Sequence, residues 1–254
     1  MATREAILTI SELTKRYRKL VAVSDLSLTI EAGEFVGLIG PNGAGKSTTM
    51  GCIAGTVAPD EGSLLIADVD VVEDPVAARA NLGFVPQHLK LLDYLTGLEY
   101  LHFVADLREL DHARRDEEVE ELLAITELHD HRHTVLHEYS GGMLRKLALA
   151  SALIGAPGLL VLDESFVGLD PESTHRIKRR LKAHCQNGGA ILLSSHILDM
   201  LQPLCDRFVF LVDGALARDL SSDELHQLIA SGDIEDLTDL YLDITGKKAV
   251  VEAT

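Results

Sequence analysis

Nine residues, "GPNGAGKST" (40–48), constrain this chain more than any other stretch. They fit GxxxxGK[ST] at Gly40, Gly45, Lys46 and Ser47. The strand-like "EFVGLI" precedes them and a helix-compatible run follows, which is the setting the pattern requires. Gly40, Pro41, Asn42, Gly43, Ala44, Gly45, Lys46, Ser47 and Thr48 are therefore candidates for holding a nucleoside triphosphate. The glycines let backbone N–H groups close around the α- and β-phosphates, and Lys46 reaches the β- and γ-phosphates. The Ser47 hydroxyl is placed to ligate Mg²⁺. A Gly-rich turn of this form arises by chance in a chain this long on the order of one time in a hundred.

A phosphate loop needs an acid for its metal, and "LLVLDE" (159–164) supplies one. Four apolar residues of a buried strand deliver Asp163 to the C-terminal end of that strand, beside the phosphates. Strand alternation turns Glu164 the opposite way, free to act as general base on the attacking water. Alone, the pair could equally be a salt-bridged strand end; the loop upstream favours the functional reading.

Around these motifs the chain alternates. "ILTI", "LSLTI" and "SLLIADVD" read as half-buried strands. "DPVAARANLG" has Asp74 as N-cap with Pro75 at the first helical position. "TGLEYLHFVADL" opens with Thr96 and Glu99 at capping-box spacing, and Ser221 and Glu224 repeat it near the C-terminus. "DHARRDEEVEELLAITEL" predicts a helix with Val119, Leu122, Leu123 and Leu128 on one face. A helical lobe is thus expected over about residues 90–150. From Leu159 strand and helix alternate again, the rhythm of a mainly parallel sheet. "FVFLVDGALARDL" reads as a hairpin closed by Asp213 and Gly214.

The charge balance, 23 Lys plus Arg against 40 Asp plus Glu, is a net −17. That argues against nucleic acid and anionic membrane surfaces as partners. Cys52, Cys185 and Cys205 are scattered, which suggests a reducing compartment rather than disulfides or zinc. No apolar run is long enough for a signal peptide or a membrane span.

A second anion-binding turn, "EYSGGM" (138–143), then needs a purpose. The order GPNGAGKS, Gln87, YSGGM, LLVLDE, GLD, SSH resembles the ATP-binding cassette of ABC transporters over about residues 5–245. The resemblance implies an α/β P-loop NTPase core with a mainly parallel sheet, an N-terminal antiparallel β subdomain and an inserted helical signature lobe. It implies one cassette over residues 1–245 with a tail at 246–254. ATP and Mg²⁺ are the implied ligands. In such cassettes the signature faces away from its own P-loop, and two cassettes pair head to tail. Ser140, Gly141 and Gly142, with Asp170 of "GLDPE", would then contact the nucleotide of a second cassette. Tyr17 sits where an aromatic stacks on adenine. Gln87 sits where a glutamine reaches Mg²⁺ and the attacking water. Asp163 would hold the ion through water, and His196 matches the histidine that touches the γ-phosphate.

Two positions depart from the family pattern. Tyr139 and Met143 flank the signature where LSGGQ is commonest, a form resembling efflux cassettes encoded apart from their membrane subunits. Ser165 stands where Pro usually follows the glutamate; the loss of a preset φ is expected to slow turnover. The run "HDHRHTVLHE" could place His129, His133 and His137 on one helix face for a divalent ion, with His131 between them; an exposed polar connection is the plainer reading. The resemblance implies the ATPase motor of an export pump, on the inner face of the membrane through polytopic permease subunits of separate chains. A soluble assembly ATPase of the iron–sulfur scaffold type is the alternative.

Overall fold

The computed structural model describes residues 5–247. Five buried strands form its centre: β3 (Phe35–Ile39), β6 (Leu82–Val85), β7 (Leu159–Asp163), β8 (Ala190–Ser194) and β9 (Arg207–Val212). They run parallel, and β10 (Ala215–Ser221) adds an antiparallel edge, giving the order β10-β9-β3-β8-β7-β6. The β9–β10 hairpin turns at Asp213 and Gly214, both with positive φ. Both faces are covered at β3, β7 and β8, which are buried along their whole length, whereas the β10 edge is mostly exposed. Along β3, Phe35 and Ile39 join one core while Val36 and Leu38 join the other.

The second core lies under an antiparallel sheet, β2-β1-β4-β5, made by β1 (Ala6–Tyr17), β2 (Leu20–Glu31), β4 (Glu61–Ile66) and β5 (Val69–Asp70). Leu8, Ile10, Leu26, Leu28, Ile30, Leu64 and Ile66 turn inward there, against α1 (Lys46–Ile53) and the parallel sheet. The first core carries the helical lobe, α3 (Gly97–Leu107), α4 (His112–Ile125) and α5 (Gly141–Leu153), together with α6 (Pro171–Gln186). The molecule is an α/β P-loop NTPase fold.

Local signals set the helix starts. Asp74 caps α2 (Pro75–Ala80) through Ala77 N. The Thr96–Glu99 capping box opens α3, and Ser221–Glu224 opens α8 (Ser222–Ser231). Two expectations are corrected. Leu128 is buried but not on α4, which ends at Ile125; Glu127 at φ 58° turns the chain and drops Leu128 under the helix instead. The histidine run forms two short 3-10 turns, His129–His131 and Leu136–Glu138, separated by a turn at Arg132 and His133 and by Val135, which bridges to Thr96. His129, His133 and His137 therefore share no helix face, and His129 instead meets Glu120 and Arg132. Among the described residues no helix is long and apolar enough to cross a membrane. Of the tail, residues 248–254 lie outside the described residues.

Candidate nucleotide site

Central strand β3 ends at the phosphate loop, and the loop ends at α1. Gly45 is the decisive glycine: its φ is +97°, and a Cβ there would lie 2.4 Å from Ala22 O. It also occupies the N-cap of α1 without a side-chain cap, so the first N–H groups of the helix stay available to an anion. Lys46 curls back over the loop and donates to Gly40 O at 2.6 Å and Pro41 O at 3.1 Å. Burial lowers its pKa, while Glu164 and Asp163 nearby pull the other way.

A cavity of about 500 Å³ opens in front of this loop. Tyr17, Leu20, Ala22, Asn42 to Thr48, Gln87, Glu164 and His196 line it. Gly40, Pro41 and Asp163 are not among its lining residues. Tyr17 is about half exposed at its rim, with Lys15 Nζ 5.5 Å from the ring centroid. So the structure gathers the loop, an aromatic, a glutamine, a carboxylate and a histidine from five separate segments.

Glu164 reaches the cavity by a different route from the one read in the sequence. β7 stops at Asp163, and Glu164 is not a strand residue; it turns left-handed at φ 52°. That turn, rather than strand alternation, places its carboxylate 2.8 Å from His196 Nε2. Burial pushes the Glu164 carboxyl up, His196 holds it down, Asp163 adds to the rise and Lys46 opposes it. A buried carboxyl shifted upward is suited to taking a proton. Asp163 accepts a hydrogen bond from Ser194 Oγ at 2.5 Å.

The signature and Asp170 do not join this cavity. Ser140 caps α5, its Oγ accepting from Met143 N–H at 3.2 Å, and the helix N-terminus opens to solvent. Asp170 caps α6 through Ser173 N–H and meets Lys146 Nζ at 2.7 Å. That ammonium and Ser173 hold its carboxyl well below the usual range. Ser173 Oγ also donates to Glu127, so the turn after α4 is tied to α5 and α6 at one point beside the signature. Sequence reasoning missed Ser194, Lys146, Ser173 and Glu127. Only the pairing of Asp163 with Ser194 in the β7–β8 register, invisible in the chain itself, brings the first of them into the site.

The sequence profile described as "ABC transporter" matches residues 23–167, more than half of the chain. The chain belongs to the ABC transporter family. Among its curated relatives, the Nod factor export ATP-binding protein I of Cupriavidus pinatubonensis is 35% identical over 94% of this chain and 72% of its own length. A solved ATP-binding subunit of an ABC transporter superposes with a TM-score of 0.88 at 30% identity, covering 94% of this chain and 99% of that one. A dimeric post-hydrolysis cassette bound to ADP and Pi gives a TM-score of 0.78 at 26% identity over 85% and 98% of the two chains. The cassette described here is an ABC-type ATPase: it binds ATP and hydrolyses it.

Proposed function

We propose that this cassette is the ATP-hydrolysing motor subunit of an exporter, working as a head-to-tail pair beneath separate membrane subunits. The observation that carries the pairing is the incomplete cavity: loop, base and histidine line it, whereas Ser140, Gly141, Gly142 and Asp170 do not. A second cassette brings the Ser140 hydroxyl and the Gly141 and Gly142 amides to the γ-phosphate, with Asp170 beside them, and α5 presents its N-terminus to the anion. Only the closed pair then has contacts from both sides, so ATP shifts the population towards closure.

Within each site the loop amides and Lys46 hold the phosphates, and Tyr17 stacks on the base. Glu164 takes the proton of the attacking water, and His196 turns from Glu164 to the γ-phosphate. Ser47, Gln87 and Asp163, the last through water, are the oxygen donors that a Mg²⁺ ion takes. When bound, the ion neutralises charge on the β- and γ-phosphates.

The membrane side is supported by the outer face of the lobe. Val76, Val104, Leu107 and Leu110 line an open groove of about 690 Å³ between α2 and α3. Val76 and Leu107 are 78% and 68% exposed. A short amphipathic helix from a permease fits such a groove. The export role of the Cupriavidus relative supports export as the direction. The pair then sits at the cytoplasmic face, held there by its permease.

The test is capture from gently solubilised membranes with tagged Glu164→Gln protein in Mg-ATP. A polytopic membrane protein should copurify and be lost on adding Leu107→Asp. Recovery of soluble proteins alone sinks the transport reading and leaves the ATPase intact.

A further inference from the structure

The C-terminal ends of β7 and β8 are joined by one side chain. Ser194 is fully buried. Its Oγ donates to Asp163 Oδ1 at 2.5 Å and accepts from the Glu164 N–H at 3.1 Å. The Ser194 carbonyl lies 3.3 Å from the same N–H. Asp163 and Glu164 are themselves only 3% and 5% exposed, so water is not free to replace a lost partner.

Glu164 needs such a hold. Its φ of 52° is a region that residues with a Cβ occupy only when their surroundings over-determine it. The following side chain contributes no hydrogen bond: Ser165 is fully buried and its Oγ has no partner. Two residues beyond Ser194, His196 Nε2 lies 2.8 Å from Glu164 Oε1 but makes no hydrogen bond to it. The stretch 194–196 thus holds the glutamate through its backbone and faces its carboxylate.

We propose that Ser194 is a positioning residue for hydrolysis: its hydroxyl pins the left-handed turn of Glu164 and orients Asp163. The strand β8, rather than the residue after the glutamate, sets where the base stands. Ser194 touches no nucleotide; it does not line the cavity. The proposal rests on Glu164 being the base, and the experiment keeps the two ideas apart.

Steady-state ATPase would be measured on the full chain and on Ser194→Ala, Ser194→Thr, Ser165→Pro, the Ser194→Ala/Ser165→Pro double variant and Glu164→Gln. Ser194→Ala should lower kcat about tenfold or more with KM for ATP within about twofold, and Ser194→Thr, which keeps the hydroxyl, should recover most of it. Proline at 165 should raise kcat more in the Ser194→Ala background than in the parent, because it restores rigidity from the other side. Hydrogen exchange without nucleotide gives a readout free of activity. The Glu164 amide should exchange faster in Ser194→Ala while the α1 amides stay unchanged.

An unchanged kcat in Ser194→Ala beside an inactive Glu164→Gln overturns the proposal. So does equal gain from proline in both backgrounds, or an unaltered Glu164 amide. If Glu164→Gln keeps full turnover, the base assignment falls; the exchange rate then decides alone whether Ser194 holds the turn.

Discussion

Lys46 shows how much one side chain is asked to do. It is 7% exposed and its ammonium is satisfied by two carbonyls of its own loop. A bound phosphate therefore enters a position where the cation is already in place. Charge-assisted bonds are worth about 1.5–3 kcal/mol, so Lys46→Ala should weaken ATP binding roughly ten- to hundredfold by calorimetry. In its proposed stacking role Tyr17 contributes less: loss of a stacked ring costs about 1 kcal/mol. Tyr17→Ala should weaken ATP binding about fivefold, and Tyr17→Phe should leave it unchanged. At the opposite end of the sheet His184 makes a separate prediction. Burial, aided by Arg180, lowers its pKa from 6.5 to about 4, and its Nε2 has no hydrogen-bond partner. The folded chain keeps it neutral while the unfolded chain protonates it, so stability is full above pH 6.5 and falls as pH drops towards 4. The loss through that window is on the order of 3 kcal/mol. Urea unfolding at pH 7 and pH 5 should show a smaller loss in His184→Met than in the parent.

Elements were legible where their ends are written locally. The caps at Asp74, Thr96 and Ser221 need only side chains three residues from the groups they satisfy, and all three form. The strand β3 is legible because burial on both faces makes it apolar throughout. What the chain conceals is register and non-local packing. Glu164 reads as one more strand residue, and its left-handed turn depends on Ser194, thirty positions away. The histidine run reads as helical spacing, yet Val135 pairs with Thr96 and breaks the run into two short turns. Tyr139 is a further case. Its hydroxyl donates to His131 O at 2.8 Å, across the start of α3. A Cβ on Gly97 would meet that hydroxyl at 2.2 Å, so the signature tyrosine and this glycine fit as a pair. Gly97→Ala should destabilise the chain by about 1–3 kcal/mol through overpacking. Adding Tyr139→Phe should recover part of it, and thermal unfolding of the two singles and the double measures the coupling.

At the scale of the molecule, two cores share one sheet. The antiparallel sheet and α1 hold the phosphate loop from one side, and the lobe and α6 hold the signature from the other. The latch of Lys146, Asp170, Ser173 and Glu127 ties lobe helices to α6 beside the signature. Removing it should disturb what the partner's nucleotide meets rather than what this chain's own loop binds. Lys146→Ala is therefore expected to lower ATPase activity severalfold with ATP affinity of the monomer unchanged; a matching loss of affinity would show the latch serves its own site. The proposed pairing, with the signature held apart from its own loop cavity, also sets a rate law. When pairs are rare, each added copy both works and serves as a partner, so total hydrolysis rises with the square of concentration. In the proposed role, a cell that makes this chain in modest excess over a permease would waste little ATP, because strays seldom meet. Consumption becomes linear only where something holds two copies side by side.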